Sequence, residues 1–90
     1  MKVLKFGAVW CNGCLVMRPR WQEIEKENPW LSTSYYDFDT EKEMVEKYGI
    51  TDGVLPVFIF LDHNEKELER LSGEIEKKQL IDTITKYKDR

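Results

Sequence analysis

An α/β fold is what this 90-residue sequence predicts: a four-stranded mixed sheet flanked by three helices in the order β-α-β-α-β-β-α. Three observations predict it. The run Val3-Leu4-Lys5-Phe6-Gly7-Ala8-Val9 is apolar on both faces apart from Lys5, the pattern of a central strand covered on both sides. Directly after it, Cys14, Met17, Trp21 and Ile24 recur at three- and four-residue steps and so share one helix face. Near the other end, Val57-Phe58-Ile59-Phe60-Leu61 is the most strand-like run in the chain, followed by a turn and an alternating return segment.

Taken in order, residues 2–9 read as the first strand and residues 12–27 as the first helix. Pro19 inside that helix removes a backbone bond and should kink it. Asn28-Pro29 ends it. Residues 31–38 read as the second strand. Thr40 and Glu43 form a capping-box pattern ahead of a short helix with Met44, Val45 and Tyr48 on one side, closed by Gly49. Gly53-Val54-Leu55-Pro56 leads into the third strand. Residues 62–65 are a hairpin turn, and residues 66–71 return as a half-exposed strand that Gly73 breaks. The last helix, residues 75–87, presents Leu80, Ile81, Ile84 and Tyr87 to the core. The helical crossover makes the first two strands parallel and right-handed, and the short turn makes the last two antiparallel.

Length allows one domain, residues 1–90, with one modest core. The net charge of −3 gives no electrostatic ground for a nucleic-acid partner or an acidic membrane surface. No stretch approaches transmembrane length, and Met1 to Lys5 has no apolar leader segment. Small secreted domains carry several disulfides, whereas this chain has one close cysteine pair, so a cytoplasmic location is expected.

Both cysteines stand in Trp10-Cys11-Asn12-Gly13-Cys14, where the first strand hands over to a helix. The unpaired N–H groups and positive dipole end of a helix start favour a thiolate. Helical spacing turns Cys14 toward the core, while Cys11 at the helix start can face out. Two inert buried thiols are the bland alternative. His63, the only histidine, reads as a solvated turn residue. Trp21 and Trp30 read as structural, and the charge runs at 41–47 and 65–70 as solvated faces.

These residues, together with Pro19, Asp37-Phe38-Asp39, Lys47-Tyr48-Gly49-Ile50, Leu55-Pro56 and Gly73, give a chain that resembles the thioredoxin family over nearly its whole length. The resemblance is to a short form without the N-terminal strand and helix of full-length thioredoxins. It implies a thioredoxin-like fold and a protein disulfide oxidoreductase with Cys11 and Cys14 as catalytic pair and redox-active disulfide. Cys11 would attack, forming a mixed disulfide, and Cys14 would resolve it. Pro56 would be cis and lie against the pair, leaving the backbone of Leu55 free for an extended substrate; Trp10 would flank the same surface. The implied partners are disulfide-containing proteins and a reductase that donates electrons. No cofactor or metal is implied, and a monomer is expected.

The chain departs from that family at four places. Asn12-Gly13 stands between the cysteines where thioredoxins usually have Gly-Pro, and Gly13 loosens the first turn by up to about 1 kcal/mol relative to Ala. Lys5 occupies the position of a usually buried Asp, which makes it a candidate modulator of the pair or a residue that snorkels to the surface. Thr51 to Leu55 is a somewhat longer loop, and Val57 replaces a usual Thr. Two other readings stay open: a glutaredoxin-like reductase using glutathione, and a redox-inactive binding or metal module.

Overall fold

The computed structural model describes residues 1–90. Its elements are β1 (Lys2–Gly7), α1 (Asn12–Glu27), β2 (Ser32–Asp37), α2 (Lys42–Lys47), a 3-10 turn (Asp52–Val54), β3 (Val57–Leu61), β4 (Glu67–Ser72) and α3 (Lys77–Tyr87). The sheet order is β2-β1-β3-β4. β1 runs parallel to β2 with Lys5 opposite Tyr35 and Gly7 opposite Asp37. β3 is antiparallel to both β1 and β4. The thioredoxin-like arrangement expected from the sequence is therefore present.

Side chains alternate across β1 and β3, so the two central strands feed two cores. Val3, Phe58 and Phe60 meet Met17, Trp21, Ile24, Leu80 and Ile84 beneath α1 and α3. Leu4, Phe6, Val57, Ile59 and Leu61 meet Val45 and Ile50 on the other face. All five residues of β3 are buried, as befits a strand covered on both sides. Fully burying each such side chain contributes about 1.5–3 kcal/mol. The alternation also settles the face of Lys5: it projects with Val3 toward α1.

Boundaries differ from expectation where loops take residues for other uses. β1 stops at Gly7, because Ala8 turns the chain and its carbonyl accepts the Cys11 N–H at 3.2 Å. The Thr40–Glu43 capping box does not form. Asp37 Oδ1 instead accepts the N–H groups of Asp39 and Thr40 at 2.8 and 3.2 Å, and α2 begins later, at Lys42. Gly49 does close α2, at φ +64°, with Ile50 N–H donating to Val45 O at 2.9 Å in a Schellman arrangement. α3 starts at Lys77 rather than at residue 75. Ile75 spans α1 instead: its N–H donates to Met17 Sδ at 3.3 Å and its carbonyl accepts Arg20 Nη1 at 2.6 Å. Leu80 and Ile84 are buried as expected, and Thr83 joins them, its hydroxyl donating to Gln79 O at 2.8 Å. Pro19 lies within a continuous α1.

Candidate active site

The turn Ala8 to Cys11 delivers a cysteine to the end of a helix. Cys11 is the N-cap of α1, with extended backbone, and its sulfur accepts the Cys14 N–H at 3.2 Å. A sulfur in this position replaces the hydroxyl or carboxylate oxygen that usually caps a helix. The donated N–H and the dipole behind it both favour negative charge on it.

Cys11 does not face out as expected. It is 7% exposed, the same as Cys14, because Ala8, Phe38 and Leu55 close around the pair. What is exposed is the apolar rim. Val9 and Trp10 precede the pair and Leu15 and Val16 follow it, all turned to solvent. Trp10 Nε1 donates to Asp39 Oδ2 at 2.7 Å, and its ring meets Phe38 edge-on at 6.1 Å. The indole is thus held at the rim beside Cys11.

Cys14 lies in the first turn of α1, three residues after Cys11. Its thiol is pushed up to about 11, first by burial and then by the Cys11 side chain, against smaller opposing effects of the Ala8 backbone and the Arg18 charge. A groove of about 430 Å³ opens beside its sulfur, lined among others by Lys5, Arg18, Glu25, Tyr35 and Pro56. Lys5 does enter this groove, yet its ammonium is held by Glu25 Oε2 at 2.6 Å and lies 5.8 Å from the Trp21 ring centroid. The lysine therefore makes its bond to α1 rather than to either cysteine.

The Leu55-Pro56 peptide bond is cis. Pro56 sits against the first turn of α1, and a Cβ added to Gly13 would stand 3.0 Å from Pro56 Cδ. Gly13 is therefore explained by close approach, a reason invisible in the chain. Gly73 N–H donates to Pro56 O at 2.8 Å and anchors the loop from behind. Leu55 is half-buried against the cysteines.

Sequence reasoning missed Tyr35, Arg18 and Gly7 as neighbours of Cys14, and Glu25 as the partner of Lys5 in the same groove. Only the helical step from Cys14 to Arg18 was available as a signal. Tyr35 and Gly7 come together through the β1–β2 pairing, and Glu25 depends on Lys5 facing α1. His63 stands in the exposed turn after β3, whose Leu61 pairs with Lys2, so it lies at the end of the sheet opposite the cysteines. A Cys11–Cys14–His63 ligand set is not assembled, and no group of three or more His, Cys, Asp or Glu side chains is placed to hold a metal ion. No helix is long and apolar enough to cross a membrane.

A small domain with a cysteine-capped helix facing a cis-proline loop is the architecture of thioredoxin-fold proteins, and comparison with known proteins agrees. The thioredoxin family model matches residues 1–86, and the chain belongs to this family. It is 35% identical over 71 residues to thioredoxin H5 of Oryza sativa subsp. japonica, covering 79% of this chain and 50% of that protein. It is 31% identical over 85 residues to an H-type thioredoxin of Oryza sativa subsp. indica, covering 94% of this chain and 66% of that protein. The chain thus spans between half and two thirds of these relatives' length. Among solved structures, Fasciola hepatica thioredoxin superposes with a TM-score of 0.84 at 33% identity, over 94% of this chain and 78% of that one. Thioredoxin NaTrxh of Nicotiana alata gives 0.85 at 27% identity, over 94% and 70%.

Proposed function

We propose that the protein is a thiol–disulfide oxidoreductase that reduces protein disulfides through the Cys11–Cys14 pair. The observation that carries this reading is the Cys11 sulfur capping α1 and accepting the Cys14 N–H at 3.2 Å. Cys11 thiolate attacks one sulfur of a substrate disulfide. A mixed disulfide forms and the other substrate sulfur leaves as a thiol. Cys14 then attacks Cys11 Sγ, the Cys11–Cys14 disulfide forms, and the second substrate thiol departs. The substrate gains two electrons and two protons, and the pair loses them. A reductase returns both, and no cofactor takes part.

Trp10, Leu55 and Pro56 bind the substrate in this reading. The apolar rim supplies area for an extended peptide, and the Leu55 backbone supplies hydrogen bonds. The protein works as a monomer in the reducing cytoplasm, on disulfide-containing proteins, without nucleic acid or membrane.

The test is a redox titration of the pair in defined thiol–disulfide buffers, read by alkylation and mass. A reversible two-electron couple near roughly −270 mV supports a reductant, and one near about −180 mV supports isomerase or oxidase work. Failure to form a reversible intramolecular disulfide overturns the reading. Stoichiometric zinc in protein purified without chelator overturns it in favour of a metal module. Turnover sustained by glutathione and glutathione reductase reassigns the electron donor.

A further inference from the structure

Resolution of the mixed disulfide needs the thiolate of Cys14, the sulfur whose burial most disfavours charge. Some group has to stabilise that charge. The groups facing Cys14 come from three elements. From α1 there are Arg18 and the N-cap Cys11, with the Ala8 backbone before them, and from β2 there is Tyr35, whose own charged neighbour is Asp37. Lys5 of β1 and Glu25 of α1 line the same groove but are bonded to each other at 2.6 Å. Arg18 is one turn along the helix and acts as a charge at a distance.

Tyr35 is different, because the backbone makes room for it. β1 and β2 are parallel neighbours with Gly7 opposite Asp37. Gly7 has no side chain, and a Cβ built there would stand 3.1 Å from Cys14 Sγ, 3.1 Å from Tyr35 Oη and 3.2 Å from Tyr35 Cε1. Both groups therefore crowd the space left by the bare Gly7 backbone, and the sulfur and the phenol oxygen line one groove at no more than 6.2 Å from each other, since each lies 3.1 Å from the same point. Tyr35 is 51% exposed, so its ring reaches from the surface inward and keeps freedom to turn the hydroxyl toward sulfur.

We propose that the Tyr35 hydroxyl is the hydrogen-bond donor that stabilises the Cys14 thiolate while it resolves the mixed disulfide. The role rests on the redox reading of the Cys11–Cys14 pair given above. The phenol suits it chemically: desolvation first, then Asp37 and the cysteines, push its ionisation up, so it remains an O–H donor at neutral pH. A hydrogen bond to a charged acceptor is about twice as strong as one between neutral groups. In the step itself the Cys14 S–H bond breaks and the thiolate, held by the Tyr35 O–H, attacks Cys11 Sγ. The Cys11–Cys14 bond forms, the bond from Cys11 to the substrate sulfur breaks, and that sulfur leaves and takes up the proton. Tyr35 ends as it began.

The test uses the reduced 90-residue chain mixed with an aromatic disulfide that releases a coloured thiol. The first equivalent reports attack by Cys11 and the second reports resolution by Cys14. Tyr35→Phe keeps the ring and removes only the oxygen, and at a half-exposed position its unfolding curve should overlay the parent's. The result expected is an unchanged first phase, a second phase slowed about tenfold at neutral pH, and a pH profile of that phase moved up by about one unit. Equal second-phase rates and profiles in parent and variant overturn the proposal. Equal slowing of both phases with no change in profile also overturns it, since that is the mark of a structural effect. If the parent itself releases no second equivalent, the redox reading falls and the role of Tyr35 falls with it.

Discussion

Lys5 Nζ and Glu25 Oε2 lie 2.6 Å apart across the β1–α1 interface, with side-chain exposures of 17% and 33%. This pairing lets a charge sit in the middle of β1, on the face where α1 packs. The ammonium lies over the Trp21 ring at 5.8 Å from its centroid and meets a carboxylate that solvent still reaches. Partly exposed pairs of this kind contribute about 1 kcal/mol or less. Lys5→Met, which keeps the stem, is expected to lower stability by that amount in urea unfolding. It is also expected to move the potential of the cysteine pair by less than about 10 mV, whereas a shift above about 30 mV, worth roughly 1.4 kcal/mol, would make Lys5 a modulator of the pair.

Cys14 should impose an alkaline limit on the reduced protein. Its thiol is raised from 9.0 to about 11 by folding, so the folded state prefers the neutral form. The stability this contributes is complete below pH 9, where both states are protonated. It is lost as pH rises toward about 11, where the unfolded chain has already released its proton. Two units correspond to about 2–3 kcal/mol. Reduced parent protein is expected to lose about 2 kcal/mol more across that window than Cys14→Ser, measured by urea midpoints at a series of pH values. Parallel curves for the two proteins would show that Cys14 does not ionise differently on folding.

Trp10 is anchored by its bond to Asp39 at 2.7 Å and by its edge contact with Phe38, yet it remains half-exposed beside Cys11. Such a residue has more to do with a partner than with the core. Trp10→Phe is expected to leave stability within about 1 kcal/mol. It should lower kcat/KM on a protein disulfide several-fold, mostly through KM. Asp39→Ala, which frees the indole, should reproduce part of that loss. A full loss of stability with unchanged kinetics would place Trp10 in the core instead.

The elements were legible because each is written locally. The apolar run of β1, the three-and-four spacing of α1 and the β3 run need no knowledge of neighbours, and the cysteine pair at the strand–helix junction is contiguous. What was not legible depends on pairing between distant segments. Tyr35 approaches Cys14 only because β1 and β2 are in parallel register and Gly7 is bare. Glu25 reaches Lys5 only because that lysine faces α1. The burial of Cys11 comes from Phe38 and Leu55, which arrive from two separate loops. Thr40 and Glu43 had the spacing of a capping box, but Asp37 takes the Thr40 N–H that the Glu43 side chain would have accepted, and the helix starts later, at Lys42.

Gly13 and Gly49 separate the two reasons a glycine is placed where it is. Gly49 has φ +64° and nothing within 4 Å of a built Cβ, so replacing it by Ala adds backbone strain alone, about 1 kcal/mol. Gly13 is helical, so Ala there should gain up to about 1 kcal/mol of helix propensity. Against that gain, the new methyl would stand 3.0 Å from Pro56 Cδ and 3.6 Å from Glu74 Cγ. Pro56 is held from behind by Gly73 N–H at 2.8 Å, so it cannot simply withdraw. Overpacking against a fixed group costs about 1–3 kcal/mol, and the contact should therefore outweigh the propensity. Gly13→Ala is expected to lower the urea midpoint of the protein and to slow attack by Cys11, because the first turn of α1 must shift away from the Pro56 loop. An increase in stability would mean that the loop yields, and that the spacing between the cysteine pair and Pro56 is set by the loop rather than by the missing side chain of Gly13.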